Sequence, residues 1–435
     1  MEKDTPRVAL STLGCKVAQY ETEALREAFL SDGFTEVTED ADIVVVNTCT
    51  VTAEADRKCR QAVRRLAKQS PRARILCIGC YAQSHPEALA KLPGVAYVSG
   101  TADKMRIPAV ARELLAAPRE SARIAVRPLD GEVFEPMCVS GAPRTRAYVK
   151  IADGCDCRCT YCAIPAARGP VRSRAASDIL AEVTRLAERG TREVVLTGIE
   201  TASYGRDLPA GYRLIDLLEE VDRLGVPRVR LGSLTPEVLR GDFIPRMAAL
   251  THITPHLHLS VQSGSSDVLR AMRRRYNAEQ ALSSIAELRA AIPGIELTCD
   301  MIVGFPGESK EDFAKTLEFS RKAQFLSMHV FAYSAREGTV AATLPGKVPE
   351  AEKAERSAAL SALAAEMTEA RLTAAAEAAP ELSVLFETVG NGIAVGHTPS
   401  FLPVRVPAPP TVQGEILTVR PLSVREGAIE GILTE

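Results

Sequence analysis

Strand patterns and helix patterns alternate along most of this 435-residue chain, and this alternation restricts the fold more than any other feature. Short aliphatic runs such as Ile43-Val44-Val45-Val46 are followed by longer segments with helical periodicity. Such alternation is typical of parallel sheets whose faces are covered by helices. We therefore predict an α/β protein, and the length favours two or three domains over a single one.

The first part of the chain, residues 6–117, predicts a doubly wound parallel sheet, because four strand patterns there are separated by helix patterns. Residues 118–146 contain five Arg and four Pro with little periodicity, which predicts a linker. At the other end, residues 380–435 contain short β-rich runs between Gly and Pro residues. These runs predict a small β-barrel of the OB type.

The central part, residues 147–379, contains six strand–helix steps. Six steps predict an open or partial (β/α)6 barrel rather than the full eight-stranded closure. Within it, residues 236–249 and residues 267–291 each predict one helix. The Ala- and Glu-rich segment at 350–379 predicts one long helix or a helical hairpin.

The distribution of apolar residues bears on the cellular compartment. The segment from Met1 to Arg7 is polar and lacks the apolar stretch of a secretory signal. The longest aliphatic run has four residues, far below the ~20 that span a bilayer. We therefore expect a cytoplasmic protein with no membrane partner. Cytoplasmic thiols stay reduced, so the eleven cysteines indicate metal ligation or catalysis rather than disulfides.

Four cysteines lie in the short loop directly after the first predicted barrel strand. Cys155, Cys159 and Cys162 have the spacing Cys-x3-Cys-x2-Cys. Three thiolates can hold three irons of a 4Fe-4S cluster and leave the fourth iron open to another ligand. A structural zinc site would need a second cysteine pair nearby. Because Cys157 adds further pairings and Cys159-x2-Cys162 is itself a dithiol, a zinc or redox site remains the alternative.

Three more cysteines, Cys15, Cys49 and Cys80, each follow a predicted strand of the first sheet. Open α/β sheets bind ligands at the carboxyl ends of their strands, so these thiols could converge on one edge. Their separations of 34 and 31 residues do not establish a common site by themselves. Free cysteine is among the most buried residue types, and four others are interpreted as buried structural residues: Cys59, Cys77, Cys138 and Cys299.

The 155–162 loop resembles the signature of the radical S-adenosylmethionine superfamily, and the motifs around it are similar to those of its methylthiotransferases. The N-terminal blocks are Gly14-Cys15-Lys16, Asn47-Thr48-Cys49 and Gly79-Cys80-Tyr81-Ala82-Gln83. The barrel blocks lie at 258–264, 300–308 and 331–339, and the β-rich tail is similar to the RNA-binding TRAM domain. Residues 14–23 and 333–339 look most like the branch that modifies N6-threonylcarbamoyladenosine at position 37 of tRNA.

This resemblance implies two 4Fe-4S clusters, and S-adenosyl-L-methionine used twice per turnover, as radical source and as methyl donor. It implies catalytic and metal-binding roles in the first cluster for Cys155, Cys159 and Cys162, and metal binding in an auxiliary cluster for Cys15, Cys49 and Cys80. The implied reaction transfers a methylthio group to C2 of the modified adenosine. Implied partners are the tRNA anticodon stem-loop, an electron donor such as flavodoxin or ferredoxin, and a sulfur source.

Other functions remain open at this point. Within the same family the substrate could be isopentenyladenosine in tRNA or an aspartate of a ribosomal protein. A non-enzymatic alternative is an RNA-binding or redox-sensing protein that carries clusters for structure. The sequence departs from the family pattern at Ala18, at Cys157, at Ala166-Ala167 and at Phe401, which leaves the fine substrate contacts open.

Candidate contacts to S-adenosylmethionine follow from the ends of the predicted barrel strands. Thr197 and Gly198 end the second strand, Ser233 ends the third, and Gln262 and Ser263 end the fourth. Glycine allows a ligand to approach the backbone closely. Gly and Ser are also ordinary turn residues, which is the alternative interpretation of each position.

Local charge indicates where RNA could bind, although the net charge of the chain is only −2. Between Arg57 and Arg74 there are eight Lys or Arg and no acidic residue, and Arg57, Arg60, Arg64 and Lys68 share one helix face. Uncompensated positive charge favours phosphate contacts, whereas a solvated helix face is the common alternative. The Arg-rich linker and four further arginines extend this predicted footprint: Arg270, Arg273, Arg274 and Arg275.

Overall fold

The computed structural model describes residues 5–118, 120–141 and 145–434. Arg119 and Arg144 of the predicted linker, and the first four residues of the polar N-terminal segment, lie outside the described residues. Across the described ranges, no helix is both long and apolar enough to cross a membrane.

The N-terminal part forms a six-stranded parallel sheet with the strand order β2-β1-β3-β4-β5-β6. Its central strand β3 is buried at every position, as expected for a continuous aliphatic run covered on both faces. The strands are β1 (Arg7–Thr12), β2 (Thr35–Glu36), β3 (Ile43–Thr48), β4 (Arg74–Gly79), β5 (Val95–Val98) and β6 (Arg123–Ile124). The helices are α1 (Lys16–Ser31), α2 (Ala53–Gln69), α3 (Cys80–Ser84), α4 (Pro86–Ala90) and α5 (Ile107–Ala116).

The central part is a partial barrel built from two four-stranded sheets, β10-β9-β7-β8 and β11-β12-β13-β14. A bridge between Val229 and Ile253 joins them, and only Gly232 separates β10 from β11. The strands are β7 (Arg146–Asp153), β8 (Arg172–Ser173), β9 (Glu193–Gly198), β10 (Arg228–Leu231), β11 (Ser233–Leu234), β12 (His256–Gln262), β13 (Glu296–Val303) and β14 (Ser327–Ala332). Counting β10 and β11 as one interrupted strand gives seven strands, of which six are parallel and β8 is antiparallel to β7, and this confirms the predicted fold class.

Most helices of this part cover the outer face of the partial barrel, whereas the first of them packs against α3 of the N-terminal part. The helices are α6 (Ile164–Arg168), α7 (Ala176–Glu188), α8 (Leu214–Asp222), α9 (Phe243–Ala248), α10 (Ser266–Ala271), α11 (Ala278–Ala291), α12 (Lys310–Ala323) and α13 (Glu350–Ala378). Their apolar faces share one large core with the outward-facing strand residues, among them Val149, Val194 and Leu257. The segment 350–379 therefore forms one long helix rather than a hairpin.

Two predicted helices of the barrel are interrupted, so their prediction as single helices was wrong. The segment 236–249 contains a 3-10 turn at Pro236–Val238 before α9 begins. The segment 267–291 breaks between α10 and α11, where Arg273 has a left-handed φ of 58°. Asn277 then caps α11 by accepting a hydrogen bond from the backbone N–H of Gln280. Part of the predicted linker also differs from expectation, because it forms β6.

The C-terminal part is a closed five-stranded barrel with the order β15-β16-β17-β19-β18, as predicted for a small β-barrel. Its strands are β15 (Leu382–Gly390), β16 (Ile393–His397), β17 (Pro403–Pro407), β18 (Ile416–Arg425) and β19 (Ala428–Leu433). It docks on the partial barrel through the Phe401 ring. This ring stacks on His256 of β12 and on His397 of the C-terminal barrel's own strand β16, at centroid distances of 4.6 and 4.5 Å. The Arg230 guanidinium lies 4.8 Å from the same ring, a cation–π contact.

Candidate functional site

Cys15, Cys49 and Cys80 follow the ends of three adjacent strands of the N-terminal sheet: β1, β3 and β4. The Gly14-Cys15 loop and the Cys49 loop are in contact. A Cβ atom on Gly14 would lie 3.3 Å from Cβ of Cys49 and 3.7 Å from its Sγ. The structure therefore brings the three thiols to the same edge of the sheet.

The side chains of Cys59 and Arg336 hold the Cys49 loop in place. The thiol of Cys59 donates to the backbone O of Cys49 and accepts from its N–H, both at 3.3 Å. From the partial barrel, Arg336 donates to Thr50 Oγ1 at 2.7 Å and to the Asp56 carboxylate at 2.6 Å. The motif at 331–339 therefore fixes the position of Cys49 relative to the barrel.

The loop that carries Cys155 and Cys162 leaves the end of β7 through Gly154, which has a φ of 73°. A Cβ atom there would lie 1.8 Å from the backbone O of Pro170, so only glycine fits. The middle of the loop is pinned at Thr160, whose N–H donates to Met272 O at 3.1 Å and whose hydroxyl donates to Ala271 O at 2.9 Å. The three cysteines thus lie on a rigid loop at the carboxyl end of the barrel.

Arg274 lies beside this cysteine loop and not on an RNA-binding surface. Its prediction as part of the RNA-binding footprint was therefore wrong. Its guanidinium donates to Cys159 Sγ at 3.3 Å and to the backbone O of Ser260 at 2.7 Å. The break between α10 and α11 turns this side chain inward.

Glu200 lies beside the same loop, at the end of β9. Its carboxylate oxygen and the sulfurs of Cys155 and Cys157 all lie within 4.8 Å of one another. Burial and then the neighbouring Cys157 raise the pKa of Glu200 to about 7. The sequence placed Thr197 and Gly198 at this strand end but missed the carboxylate two residues further on.

A buried charge cluster separates the two cysteine sites. Arg168, on α6 directly after the 155–162 loop, is fully buried and lies between Cys80 and two carboxylates. Its Nε donates to Cys80 Sγ at 3.0 Å, and its Nη1 lies 3.2 Å from Asp153. Its Nη2 donates to Glu21 at 3.2 Å. The Arg168 side chain therefore connects Cys80 of the N-terminal part to the region directly after the 155–162 loop.

The charges around Arg168 do not cancel. The cluster contains three carboxylates and four cations: Glu21, Asp153, Glu135, Lys104, Lys150, Arg168 and Arg172. Burial raises the pKa of the Cys80 thiol, and the neighbouring Arg168 acts in the opposite direction.

These surroundings fit iron–sulfur clusters at both sites. Each site offers three thiols from loops that close protein contacts hold in place. At each site an arginine donates to one of the sulfurs, Arg168 to Cys80 and Arg274 to Cys159. Hydrogen bonds to ligand sulfurs are among the levers by which proteins stabilise clusters and tune their potentials.

A cavity of about 190 Å³ lies between the two cysteine loops. It is lined by Val51 and Thr52 behind Cys49, by residues 161–164 and by the ends of β13 and β14. Of the predicted S-adenosylmethionine contacts, Gln262 lines it, with a left-handed φ of 71°. Thr197, Gly198, Ser233 and Ser263 are not among the described residues that line it.

The other predicted contacts make protein contacts of their own. Ser233 and Ser260 share a hydrogen bond of 2.6 Å between their hydroxyls. Ser263 is fully buried, and its hydroxyl accepts from the backbone N–H of Ser265 at 3.2 Å. Thr197 is also buried, at 3% exposure. These positions remain predictions, and the structure gives Ser263 a role in the turn before α10.

The remaining cysteines are mostly where they were expected. Cys59, Cys77 and Cys299 are buried, but Cys138 is exposed, so its assignment as a buried structural residue was wrong. Cys138 lies in an irregular segment between β6 and β7, where the sequence offered no periodicity from which burial could be judged.

The basic helix α2 is only partly free to meet an RNA. Arg57 forms an ion pair with Glu54, and Arg60 donates to the Tyr81 hydroxyl at 2.6 Å. Arg64 and Lys68 on the same helix are exposed. Of the basic helix face predicted from the sequence, only the C-terminal half, which carries Arg64 and Lys68, is therefore available to an RNA.

Two known sequence families match this chain. The Radical SAM superfamily matches residues 149–320, and Uncharacterized protein family UPF0004 matches residues 7–100. Among solved structures, the radical S-adenosylmethionine methyltransferase TsrM from Kitasatospora setae superposes with a TM-score of 0.56 at 17% identity. That superposition covers 75% of each chain and shows a shared fold.

Sequence relatives match over nearly the whole length. The chain is 37% identical to threonylcarbamoyladenosine tRNA methylthiotransferase MtaB of Bacillus subtilis, over 95% of this chain and 93% of that protein. It is 38% identical to MtaB of Aquifex aeolicus, over 80% and 86%. It is 33% identical to tRNA-2-methylthio-N(6)-dimethylallyladenosine synthase of Shouchella clausii, over 97% and 82%.

Proposed function

This chain belongs to the tRNA methylthiotransferase family of radical S-adenosylmethionine enzymes, and from that premise we propose its substrate and its site residues. The proposed reaction transfers a methylthio group to C2 of N6-threonylcarbamoyladenosine at position 37 of tRNA. The similarity to the MtaB proteins, which extends over 95% of the chain in one case, carries this proposal. The relatives named for dimethylallyladenosine supply the second candidate substrate.

The members of this family carry two 4Fe-4S clusters and use S-adenosylmethionine. When bound, these cofactors supply a radical that removes a hydrogen atom from an unreactive carbon, the sulfur that is inserted and the methyl group that completes the product. We propose that Cys155, Cys159 and Cys162 hold the cluster that meets S-adenosylmethionine. We propose that the auxiliary cluster is held by Cys15, Cys49 and Cys80.

The protein side chains position these groups and shield them from water. Arg274 orients Cys159, and Arg168 orients Cys80, each by a donated hydrogen bond. The cavity between the two cysteine loops lies where the adenine base would have to reach both sites. Excluding water from that cavity protects a reactive radical from side reactions. Glu200, beside Cys155 and Cys157, is placed to accept hydrogen bonds from a cationic amino group.

Position 37 lies in a single-stranded loop, where a base can be unstacked at low cost. The exposed cations Arg64 and Lys68 of α2 lie on the helix that begins four residues after Cys49, so they are placed to contact the phosphates of that stem-loop. The proposal also includes a cytoplasmic reaction, an electron donor such as flavodoxin or ferredoxin, and a separate sulfur source.

The proposal is tested with anaerobic enzyme, S-adenosylmethionine, reductant and sulfide, using three substrates in parallel. These are tRNA with threonylcarbamoyladenosine, tRNA with isopentenyladenosine and ribosomal protein peptides. Mass spectrometry of the digests should detect a methylthio addition on the first substrate alone. An addition found only on isopentenyladenosine or on a peptide would replace the proposed substrate, and failure to form 5′-deoxyadenosine would favour a non-enzymatic protein.

A further inference from the structure

Three polar side chains meet inside the partial barrel: His258 on β12, Asp300 on β13 and His329 on β14. His258 Nε2 lies 3.1 Å from Asp300 Oδ2, and His329 Nδ1 lies 3.2 Å from Asp300 Oδ1. The imidazole rings of the two histidines are 5.4 Å apart. Such a group is unusual in a barrel interior, where packed apolar side chains are the norm.

This polar group lies below the mouth of the barrel but remains connected to it. Asp300 comes three residues before the end of β13, which is about 10 Å at ~3.3 Å per residue. Asp300 also lines the cavity that contacts Cys162 and Thr52. A ligand that fills the space between the two cysteine loops can therefore extend down to Asp300.

The hydrogen bonds leave one imidazole edge of the group available. Both oxygens of Asp300 contact histidine nitrogens, and His258 Nδ1 lies 2.8 Å from Thr298 Oγ1. The His329 side chain is 62% exposed, so its Nε2 edge can face a ligand. The hydrogen bond to Asp300 raises the pKa of His329, which favours the protonated, donating form. A metal ion bound by His258, Asp300 and His329 would have to displace both histidine–carboxylate hydrogen bonds.

We propose that His329, oriented by Asp300, forms a subsite that binds the carboxylate of the threonyl group on N6 of the substrate adenosine. This inference rests on the proposed function. A threonylcarbamoyl group ends in a carboxylate, whereas a dimethylallyl group is a hydrocarbon without hydrogen-bonding atoms. A site whose polar groups would be left unpaired by a hydrocarbon discriminates strongly against it. His329 is thus a specificity-determining residue, and Asp300 is a positioning residue.

The test measures binding as well as turnover, with anticodon stem-loop RNAs that carry threonylcarbamoyladenosine or the same group with its carboxylate converted to a carboxamide. The reconstituted enzyme should bind the carboxylate RNA at least about tenfold more tightly, as a charge-assisted hydrogen bond allows. His329→Ala should remove most of this difference. His252→Ala is the matched control, because His252 pairs with Asp222 outside the cavity.

The outcomes separate this inference from the proposed function. If the wild-type enzyme modifies isopentenyladenosine instead, the function itself is wrong. If it modifies threonylcarbamoyladenosine but binds the carboxamide equally well, or if His329→Ala keeps the discrimination, the subsite is wrong. Iron content should be the same in His329→Ala as in the wild-type enzyme, and 5′-deoxyadenosine formation without RNA should be unchanged in the control His252→Ala. A stoichiometric divalent metal that is lost from His329→Ala while the discrimination persists would also overturn the inference.

Discussion

Nε of Arg168 lies 3.0 Å from Sγ of Cys80, although the two residues are 88 positions apart in the sequence. Arg168 follows the cysteine loop of the partial barrel, and Cys80 lies at the edge of the N-terminal sheet. This contact, together with the pairing of Arg336 with Asp56, holds the two proposed cluster sites in a fixed relation. Transfer of sulfur to a carbon activated at the other site requires such a relation.

Arg168→Met should lower the reduction potential of the auxiliary cluster, because a hydrogen bond to a ligand sulfur and a nearby positive charge both stabilise the reduced state. Potentiometric titration followed by electron paramagnetic resonance measures this change. Arg172→Met is the matched control, because Arg172 is also buried beside Asp153 but donates to backbone oxygens. Equal potentials in the two variants would contradict a direct effect of Arg168 on the cluster.

Cys157→Ser should keep a full complement of iron and most of the activity. Cys157 lies between two proposed ligands, and its backbone N–H donates to Cys155 Sγ at 3.4 Å. We expect its thiol to remain outside the cluster, which leaves one iron open for S-adenosylmethionine. Iron analysis and 5′-deoxyadenosine formation measure the two effects. A variant that loses about four irons would identify Cys157 as a ligand.

Arg64→Glu combined with Lys68→Glu should weaken tRNA binding and make its salt dependence shallower. Each lost phosphate contact should change the slope of log K against log salt by about 0.7–0.9. Filter binding across a series of salt concentrations gives the slope. Arg223→Glu is the control, because Arg223 is 70% exposed at the end of α8 on the partial barrel. An unchanged slope in the double variant would show that α2 is an ordinary solvated helix that makes no phosphate contacts.

Phe401→Ala should loosen the C-terminal barrel from the partial barrel. Removing a packed phenylalanine costs about 3–5 kcal/mol in well-packed sites, and here it also removes the stacking on His256 and His397. Limited proteolysis between residues 378 and 382 should become faster. Leu422→Ala, at a side chain that is 62% exposed on the same barrel, should leave the rate unchanged. Equal rates in both variants would show that Phe401 does not hold the interface.

Much of the architecture could be predicted because local patterns determine it. Buried aliphatic runs identified the strands, and the carboxyl ends of parallel strands identified the edge where Cys15, Cys49 and Cys80 meet. The single helix predicted over 267–291 failed because Asn277, a strong helix cap, lies inside an otherwise helical pattern. The minor strand β6 was missed because a two-residue edge strand has no periodicity to detect.

The interactions around the cysteines could not be predicted, because they join residues far apart in the sequence. Arg168, Arg274 and Glu200 were ordinary charged residues until the fold placed them beside thiols. Arg274 was even assigned to an RNA surface, since charge alone does not show which way a side chain points. Phe401, noted only as a departure from the family pattern, proved to be one of the contacts between the two barrels, together with the Arg146–Glu387 ion pair.

The central claim is that two separate cysteine triads hold two clusters with different tasks, and anaerobic iron and sulfide analysis of three proteins tests it most directly. The wild-type chain should contain about eight of each, and variants with either triad replaced by alanine should contain about four. The variant lacking Cys15, Cys49 and Cys80 should still form 5′-deoxyadenosine but no methylthio product, whereas the variant lacking Cys155, Cys159 and Cys162 should form neither. A wild-type content of about four irons, or of zinc in place of iron, would contradict the account.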